Sequence, residues 1–174
     1  LVLFVFLYML FLENNSFSKY YQRYTQKMPS IVNYSHTANF FNDVMLKGEA
    51  YWVGPFQPDD QFFVENPALP GKYFYLMPQF REDDRFKNDF IKQFEVNPPK
   101  IIIFNHQASI FMTPADEFGE FFLKWLDGKY FQLKNENVEL LKSPSTFDFN
   151  GDMYIRNEDK SEIMKRLQEK GYIK

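Results

Sequence analysis

A short apolar segment in the middle of the chain constrains the fold more than any other feature. Ile101 to Phe104 are three isoleucines and a phenylalanine, with two prolines shortly before them and Asn105 after them. A β-branched run this short, bounded by turn residues, is typical of a strand that is buried on both faces. Since such a strand needs a layer on each side, the segment predicts a central parallel strand with helices above and below it.

Amphipathic helices are predicted on both sides of this strand. One begins at Asp83 or Asp84, carries a stripe of phenylalanines, and ends before the prolines at positions 98 and 99. The other begins at Thr113-Pro114-Ala115-Asp116, where a Thr cap and a Pro at the first helical position form a typical start. Its apolar face comprises Phe118, Phe121, Phe122, Trp125 and Leu126, and Gly128 ends it.

Further predicted elements give an alternating order along the chain. The helices are Ser35 to about Lys47 and Asp159 to Lys170, and the strands are Ala50 to Val53, Lys72 to Met77, Tyr130 to Leu133 and Val138 to Leu141. Gln61 to Glu65 fits one helical turn as well as a strand. Strands that alternate with helices predict a three-layer, Rossmann-like α/β fold with a mostly parallel sheet.

The C-terminal part adds a predicted antiparallel hairpin. Asn150-Gly151 lies between two alternating runs, Thr146 to Phe149 and Asp152 to Ile155. Asn-Gly is the preferred two-residue hairpin turn because both positions adopt a positive φ. The same residues imitate the start of a calcium loop, but Met153 stands where that loop requires glycine. We therefore expect a turn at Asn150-Gly151 and no metal.

The N-terminal segment predicts attachment to a membrane. Leu1 to Leu12 carry no charge, yet at 1.5 Å per residue they cover only about 18 Å, less than a bilayer requires. The tyrosines and cations that follow, up to Lys27, suit the headgroup zone. We therefore expect residues 1–30 to be the end of a transmembrane helix with its juxtamembrane segment, and residues 31–174 to be a soluble α/β domain. The alternative for Leu1 to Leu12 is a buried core helix.

Composition and motifs argue against several classes of site. The chain has no cysteine and only two histidines, His36 and His106, so thiol chemistry is excluded and a transition-metal site is not expected. A net charge of −3 without a basic cluster argues against nucleic-acid binding. No phosphate-binding glycine motif is present, and Pro55 after Gly54 lacks the amide that a phosphate cradle needs. We accordingly predict no catalytic residue, cofactor or metal in the chain itself.

Two loops remain candidates for function. Asp59 and Asp60 lie in the loop after the strand predicted at 50–53, and His106 follows the central strand. Loops after parallel strands meet at one edge of a sheet, where ligands usually bind. Asp59, Asp60 and His106 are therefore predicted to share a surface. The structural interpretation is that Asp59 and Asp60 are solvated loop acids and that His106 is a hydrogen-bonded loop residue. The functional interpretation is that they act in acid–base chemistry.

The order of segments resembles a known family. The segments are a helix, Gly48-Glu-Ala-Tyr-Trp-Val-Gly-Pro, Pro70-Gly-Lys-Tyr-Phe-Tyr-Leu-Met-Pro, Asn97-Pro-Pro-Lys-Ile-Ile-Ile-Phe, and a hairpin ending Asp152-Met-Tyr-Ile-Arg. From about Tyr34 to Arg156 this pattern is similar to the C-terminal extracytoplasmic domain of GT-C membrane glycosyltransferases, which include the protein mannosyltransferases and the aminoarabinose transferases. The basic residues near Lys19 depart from it, because such residues usually mark the cytoplasmic side.

The resemblance implies a parent enzyme that transfers a sugar from a polyprenyl-phosphate donor. In that family the catalytic acid lies near the N-terminal membrane helices, so this domain is expected to support acceptor binding without catalysing transfer. The implied partners are the membrane and the remainder of the parent protein, and the implied location is the cell membrane with the domain outside the cytoplasm. The alternative is a membrane-tethered binding or scaffold domain with no enzymatic role.

Overall fold

The computed structural model describes residues 36–56, 64–133 and 151–173, which belong to one unit, Ser35–Lys174. Several expectations lie outside the described residues: the membrane and juxtamembrane residues 1–30, the acids Asp59 and Asp60, the strand at 138–141, and the first half of the hairpin with Asn150. In the part that is described, no helix has both the length and the apolar character needed to cross a membrane.

Six strands in the described residues form two sheets. They are β1 (Tyr51–Gly54), β2 (Ile101–Phe104), β3 (Ser109–Ile110), β4 (Thr113–Pro114), β5 (Tyr130–Leu133) and β6 (Asp152–Arg156). The main sheet has four strands in the order β1-β2-β6-β5, and β3 pairs with β4 in a separate two-stranded hairpin.

The main sheet is mixed. β1 runs parallel to β2, whereas β6 runs antiparallel to both β2 and β5. The buried interior strand expected at Ile101–Phe104 is confirmed, since all four of its residues are buried. The mostly parallel sheet is wrong for the described strands, because β6 occupies the place beside β2 in the opposite direction.

Helices cover both faces of the main sheet. They are α1 (His36–Val44), α2 (Asp84–Val96), α3 (Ala115–Phe118), α4 (Glu120–Leu126) and α5 (Lys160–Glu169). Ile101 and Ile103 join a core cluster with residues of α1 and α5, while Ile102 and Phe104 join a second cluster with residues of α2, α3 and α4. Since side chains alternate along a strand, these two clusters explain why β2 has no polar side.

The core on the α2 side is dominated by aromatic rings. Trp52 is fully buried and meets Phe90, Phe94 and Phe122 edge to face, at ring-centre distances of 5.8, 5.6 and 5.1 Å. Such edge-to-face pairs add to the stabilisation that burial alone provides. The indole Nε1–H of Trp52 donates to the Tyr73 carbonyl oxygen over 3.1 Å. Many of the phenylalanines in this chain are therefore explained by packing in the core.

Two predicted elements differ from the structure. Lys72 to Met77 forms no strand; Tyr75 makes only an isolated bridge with Phe56. The backbone polar groups of this segment are used elsewhere, since the Leu76 amide donates to the Pro55 carbonyl over 2.7 Å and Tyr73 accepts from Trp52. The second predicted helix begins one residue late, at Ala115, because Thr113 pairs with Ile110 in the β3–β4 hairpin and provides no cap.

Gly151 has a different structural role from the expected one. Its φ is not in the left-handed region, unlike that of Gly48, Gly128 and Gly171. A Cβ atom at Gly151 would lie 2.7 Å from the Phe104 carbonyl oxygen. Glycine is required here because β6 enters the sheet in close contact with the backbone at the end of β2.

Candidate functional site

The carboxyl ends of β1 and β2 lie side by side and define one edge of the main sheet. Gly54 pairs with Phe104, and the Asn105 amide donates to the Gly54 carbonyl over 2.9 Å. The loops that follow the two strands therefore begin next to each other, as expected from their sequence. The structure places His106 at this edge, while Asp59 and Asp60 are outside the described residues.

The imidazole of His106 is held by hydrogen bonds at both ring nitrogens. Its Nδ1 lies 2.5 Å from Oδ1 of Asp116, and its Nε2 lies 2.8 Å from the hydroxyl of Tyr154. Asp152 Oδ2 is 3.7 Å from the same Nε2. The Phe104 ring meets the imidazole edge to face at 5.0 Å. These contacts fix the orientation of a side chain that remains 28% exposed.

Each partner of His106 comes from a different element. Asp116 lies in the first turn of α3, directly after the β3–β4 hairpin. Tyr154 and Asp152 lie on β6, opposite Ile102 and Phe104 of β2. Their spacing of two residues puts both on one face of the strand, beside the end of β2. The His106 cluster, defined as His106, Asp116, Asp152 and Tyr154, is thus assembled by the antiparallel insertion of β6.

The carboxylate of Asp152 is itself positioned by a neighbouring strand. Gln132 of β5 donates from Nε2 to Asp152 Oδ2 over 2.5 Å. Within the described residues, the charged or polar groups around Asp152 are therefore an amide, a phenol and an imidazole, with no lysine or arginine paired to it. Its carboxylate is therefore positioned without a lysine or arginine partner among the described residues.

Tyr154 is a phenol donor at neutral pH, where an ordinary tyrosine is already protonated. Burial raises the pKa of Tyr154 further, to about 12, and the nearby carboxylates of Asp152 and Asp116 act in the same direction. The phenol can therefore donate to Nε2 of His106. A neutral imidazole then carries its own proton on Nδ1 and donates it to Asp116. The three side chains form a hydrogen-bond chain in the order Tyr154, His106, Asp116.

This geometry engages both imidazole nitrogens and leaves the carboxylates open to further partners. Nε2, the nitrogen that would act as a base, is occupied by the Tyr154 hydroxyl. Among the described residues, no serine or threonine hydroxyl is hydrogen-bonded to His106, and no group of acids and histidines is arranged to hold a metal ion. Asp116 and Asp152 have side chains that are 58% and 43% exposed. Since a carboxylate accepts several hydrogen bonds, both can receive further donors from a ligand.

A groove of about 400 Å³ lies at the other end of the sheet. It is lined by α2, α4, the start of β5 and the end of β6, with Trp125, Tyr130 and Arg156 among its residues. The ammonium group of Lys129 lies 4.6 Å from the Trp125 ring centre. A cation already occupies one face of this indole, so the groove is a weaker candidate for a ligand than the His106 cluster.

Sequence reasoning identified His106 but missed its partners. The sequence pattern indicates only a helix start that includes Asp116 and a hairpin strand that includes Asp152 and Tyr154. The only signal in the sequence was the alternation at 152–155, which places an acid and a tyrosine on one face of a strand. That signal could not show which strand would pair with β6.

The geometry of the His106 cluster is the main basis for assigning a role to this edge of the sheet. No protein-family model, curated protein or solved structure matches this chain.

Proposed function

We propose that this chain is the non-catalytic C-terminal domain of an integral-membrane glycosyltransferase. The parent enzyme takes its sugar from a polyprenyl-phosphate donor, and this domain helps to bind the acceptor. In this proposal the domain has the three-layer organisation of a Rossmann-like fold and lies outside the cytoplasm at the cell membrane. The order of segments described under Sequence analysis supports the family, and the His106 cluster supports the role in binding.

The observation that carries the binding role is the hydrogen-bond chain Tyr154–His106–Asp116 at a partly open edge of the sheet. Exposed carboxylates next to a fixed imidazole offer acceptors to the hydroxyl or amine groups of an acceptor molecule. Because protein groups already engage both nitrogens of His106, the cluster is better suited to hold a polar ligand than to remove a proton from it.

A second candidate is a membrane-tethered binding or scaffold domain that belongs to no enzyme. The same occupation of both His106 nitrogens supports it, since that geometry needs no reaction. The coding sequence upstream of Leu1 separates the two candidates. Many further spans with an acidic residue in the first external loop would favour the glycosyltransferase, and a single span would contradict it.

The direct test is a comparison of His106→Ala with Gln107→Ala in the full-length protein. Gln107 is the exposed neighbour of His106 and serves as the matched control. We expect His106→Ala to raise the KM for the acceptor about tenfold, because Asp116 loses the imidazole that orients it and with it about one charge-assisted hydrogen bond to the acceptor, and to leave the KM for the polyprenyl-phosphate donor unchanged. Gln107→Ala should change neither constant. Sugar transfer or hydrolysis by the purified chain alone, lost in His106→Ala, would overturn the proposal in favour of a self-contained enzyme.

A further inference from the structure

The tip of the β3–β4 hairpin combines two features that rarely occur together. Phe111 and Met112 form the two-residue turn between β3 and β4, and both have a positive φ, 49° and 61°. Such turns are normally formed by Asn-Gly, because a left-handed backbone disfavours bulky side chains. The same two side chains are 71% and 96% exposed. Neither the backbone preference nor the core of the domain explains these residue types.

The hairpin is held firmly at its base. The Ala115 amide donates to the Ala108 carbonyl over 2.8 Å, and the His106–Asp116 hydrogen bond joins the residues that flank the hairpin. Ile110 packs against the aromatic core cluster. The exposed tip is therefore held in a defined position relative to the His106 cluster.

The segment is also free of charge. From Gln107 to Ala115 the sequence contains no Asp, Glu, Lys or Arg. Entry of a charged group into the boundary between lipid headgroups and acyl chains is unfavourable, but entry of a phenylalanine and a methionine is favourable. The first charges after the tip are Asp116 and Glu117 at the base of the hairpin, so only the tip itself suits a shallow apolar environment.

We propose that Phe111 and Met112 insert into the interfacial zone of a lipid bilayer and set the distance of the His106 cluster from the membrane. This inference rests on the membrane tethering proposed above. A bilayer fits the tip better than a protein does, because a stable protein interface buries roughly 800 Å² on each partner, far more than two side chains provide. On that proposal, the uncharged run Leu1 to Leu12 anchors the same chain in a bilayer.

The absence of cysteine from the chain allows a direct test with single labels. Met112→Cys carries an environment-sensitive fluorophore, and the matched control is Val96→Cys, a site that is 78% exposed at the end of α2, before β2 begins. The full chain is reconstituted in phosphatidylcholine nanodiscs with and without nitroxide-labelled lipid. We expect the label at position 112 to emit at shorter wavelength and to be quenched by the labelled lipid at least threefold more than the label at position 96.

A second variant separates the tip from the rest of the hairpin. Phe111→Asn combined with Met112→Gly supplies the favoured turn residues and removes both apolar side chains. For this comparison the label is placed at Gln107→Cys, once with the native tip and once with the double substitution. The double substitution should lower the quenching by labelled lipid from its value with the native tip to the value at position 96. The Tm of the double variant should equal or exceed that of the protein with Phe111 and Met112, because asparagine and glycine fit a positive φ better.

The outcomes distinguish this inference from the tethering on which it rests. If the chain does not enter nanodiscs, both fail. If it enters but the label at position 112 behaves like the label at position 96, only the insertion of the tip is overturned. Protection of position 112 from both lipid-borne and aqueous quenchers would identify a protein partner and would also overturn the inference.

Discussion

The two ends of the main sheet use charged side chains in opposite ways. Where β2 begins, Lys100 lies 2.7, 3.4 and 3.0 Å from carboxylate oxygens of Glu49, Asp159 and Glu162. Arg166 adds a bidentate pair to Glu49, at 2.7 and 2.9 Å. Where β2 ends, in contrast, the acids of the His106 cluster have a phenol, an amide and an imidazole as neighbours.

This difference indicates which end stabilises the fold and which is available to a ligand. At the first end, largely buried cations and anions neutralise one another, so little charge remains to attract a ligand. At the second end, no lysine or arginine among the described residues pairs with Asp116 or Asp152, and both carboxylates stay accessible. Buried opposite charges are costly to separate, whereas exposed carboxylates can exchange partners. Substitutions at the two ends should therefore have effects of different size and kind.

The largest effect is expected for Lys100→Met. The substitution removes the cation that three carboxylates share. Arg166 and Arg156 still pair with these carboxylates, so we expect a loss at the lower end of the range for a broken buried ion pair, about 3 kcal/mol in the free energy of unfolding. The measurement is urea denaturation at pH 7. Lys124→Met is the matched control, since its pair with Glu120 is exposed and screened by solvent, so this substitution should change the free energy of unfolding far less. Equal losses in both variants would contradict the contrast between the two ends.

A smaller effect on stability is expected at the same end of the sheet when the pH is lowered. Burial opposes the ionisation of Glu49, but hydrogen bonds from Arg166 and Lys100 outweigh it and lower the pKa of Glu49 from 4.5 to about 2. Because the folded state favours the ionised form, this contribution is fully present above pH 4.5 and is lost as the pH falls towards 2. After allowance for solvent screening, it amounts to about 2 kcal/mol.

The measurement is the urea midpoint of unfolding, determined at a series of pH values from 7 to 2. Glu49→Gln should be less stable than the wild type at pH 7, and its curve should be flatter between pH 4.5 and 2. Parallel curves for the two proteins would show that Glu49 does not carry the pH dependence.

The smallest effect is expected at the open end, for Tyr154→Phe. Loss of the hydroxyl leaves Nε2 of His106 without its donor, and we expect a loss of about 1 kcal/mol in the free energy of unfolding. Tyr75→Phe is the control, since among the described residues its hydroxyl has no hydrogen-bond partner. Imidazole ¹⁵N shifts should show the Nδ1–H tautomer of neutral His106 in the wild type and a mixture of tautomers in Tyr154→Phe. An unchanged tautomer would show that the Tyr154 hydroxyl does not donate to His106.

Local patterns in the sequence predicted the elements well. The helix start expected at Asp83 or Asp84 is confirmed: Asp83 caps α2, with its carboxylate accepting from the amides of Arg85 and Phe86 at 2.9 and 3.2 Å. The unbroken apolar run from Ile101 to Phe104 predicted a strand covered on both faces. These predictions succeeded because capping and hydrophobic periodicity depend on residues close together in the chain.

Pairing between distant segments could not be predicted in the same way. The alternation from Asp152 to Ile155 predicted a strand, but it held no information on whether β6 would add at an edge or insert beside β2. The site depends on that choice, since Tyr154 reaches His106 only because it pairs opposite Ile102. The strand expected at Lys72 to Met77 failed for a related reason: the aromatic rings of this segment pack on α2, and its backbone bonds with Trp52 and Pro55.

The interior position of β6 has a consequence for how the domain is made. A ribosome delivers β1, β2 and β5 first, yet the described sheet joins β5 to β2 only through β6. The ion pair between Glu49 and Arg166 likewise cannot form until Arg166, 117 positions after Glu49, has been synthesised. Since contacts this distant form slowly, the described sheet should remain incomplete until β6 and α5 have been synthesised. Until then the side of the sheet that packs on α5, with Phe40, Phe41 and Tyr51, stays uncovered, and exposed apolar surface of this kind makes a nascent chain prone to aggregation.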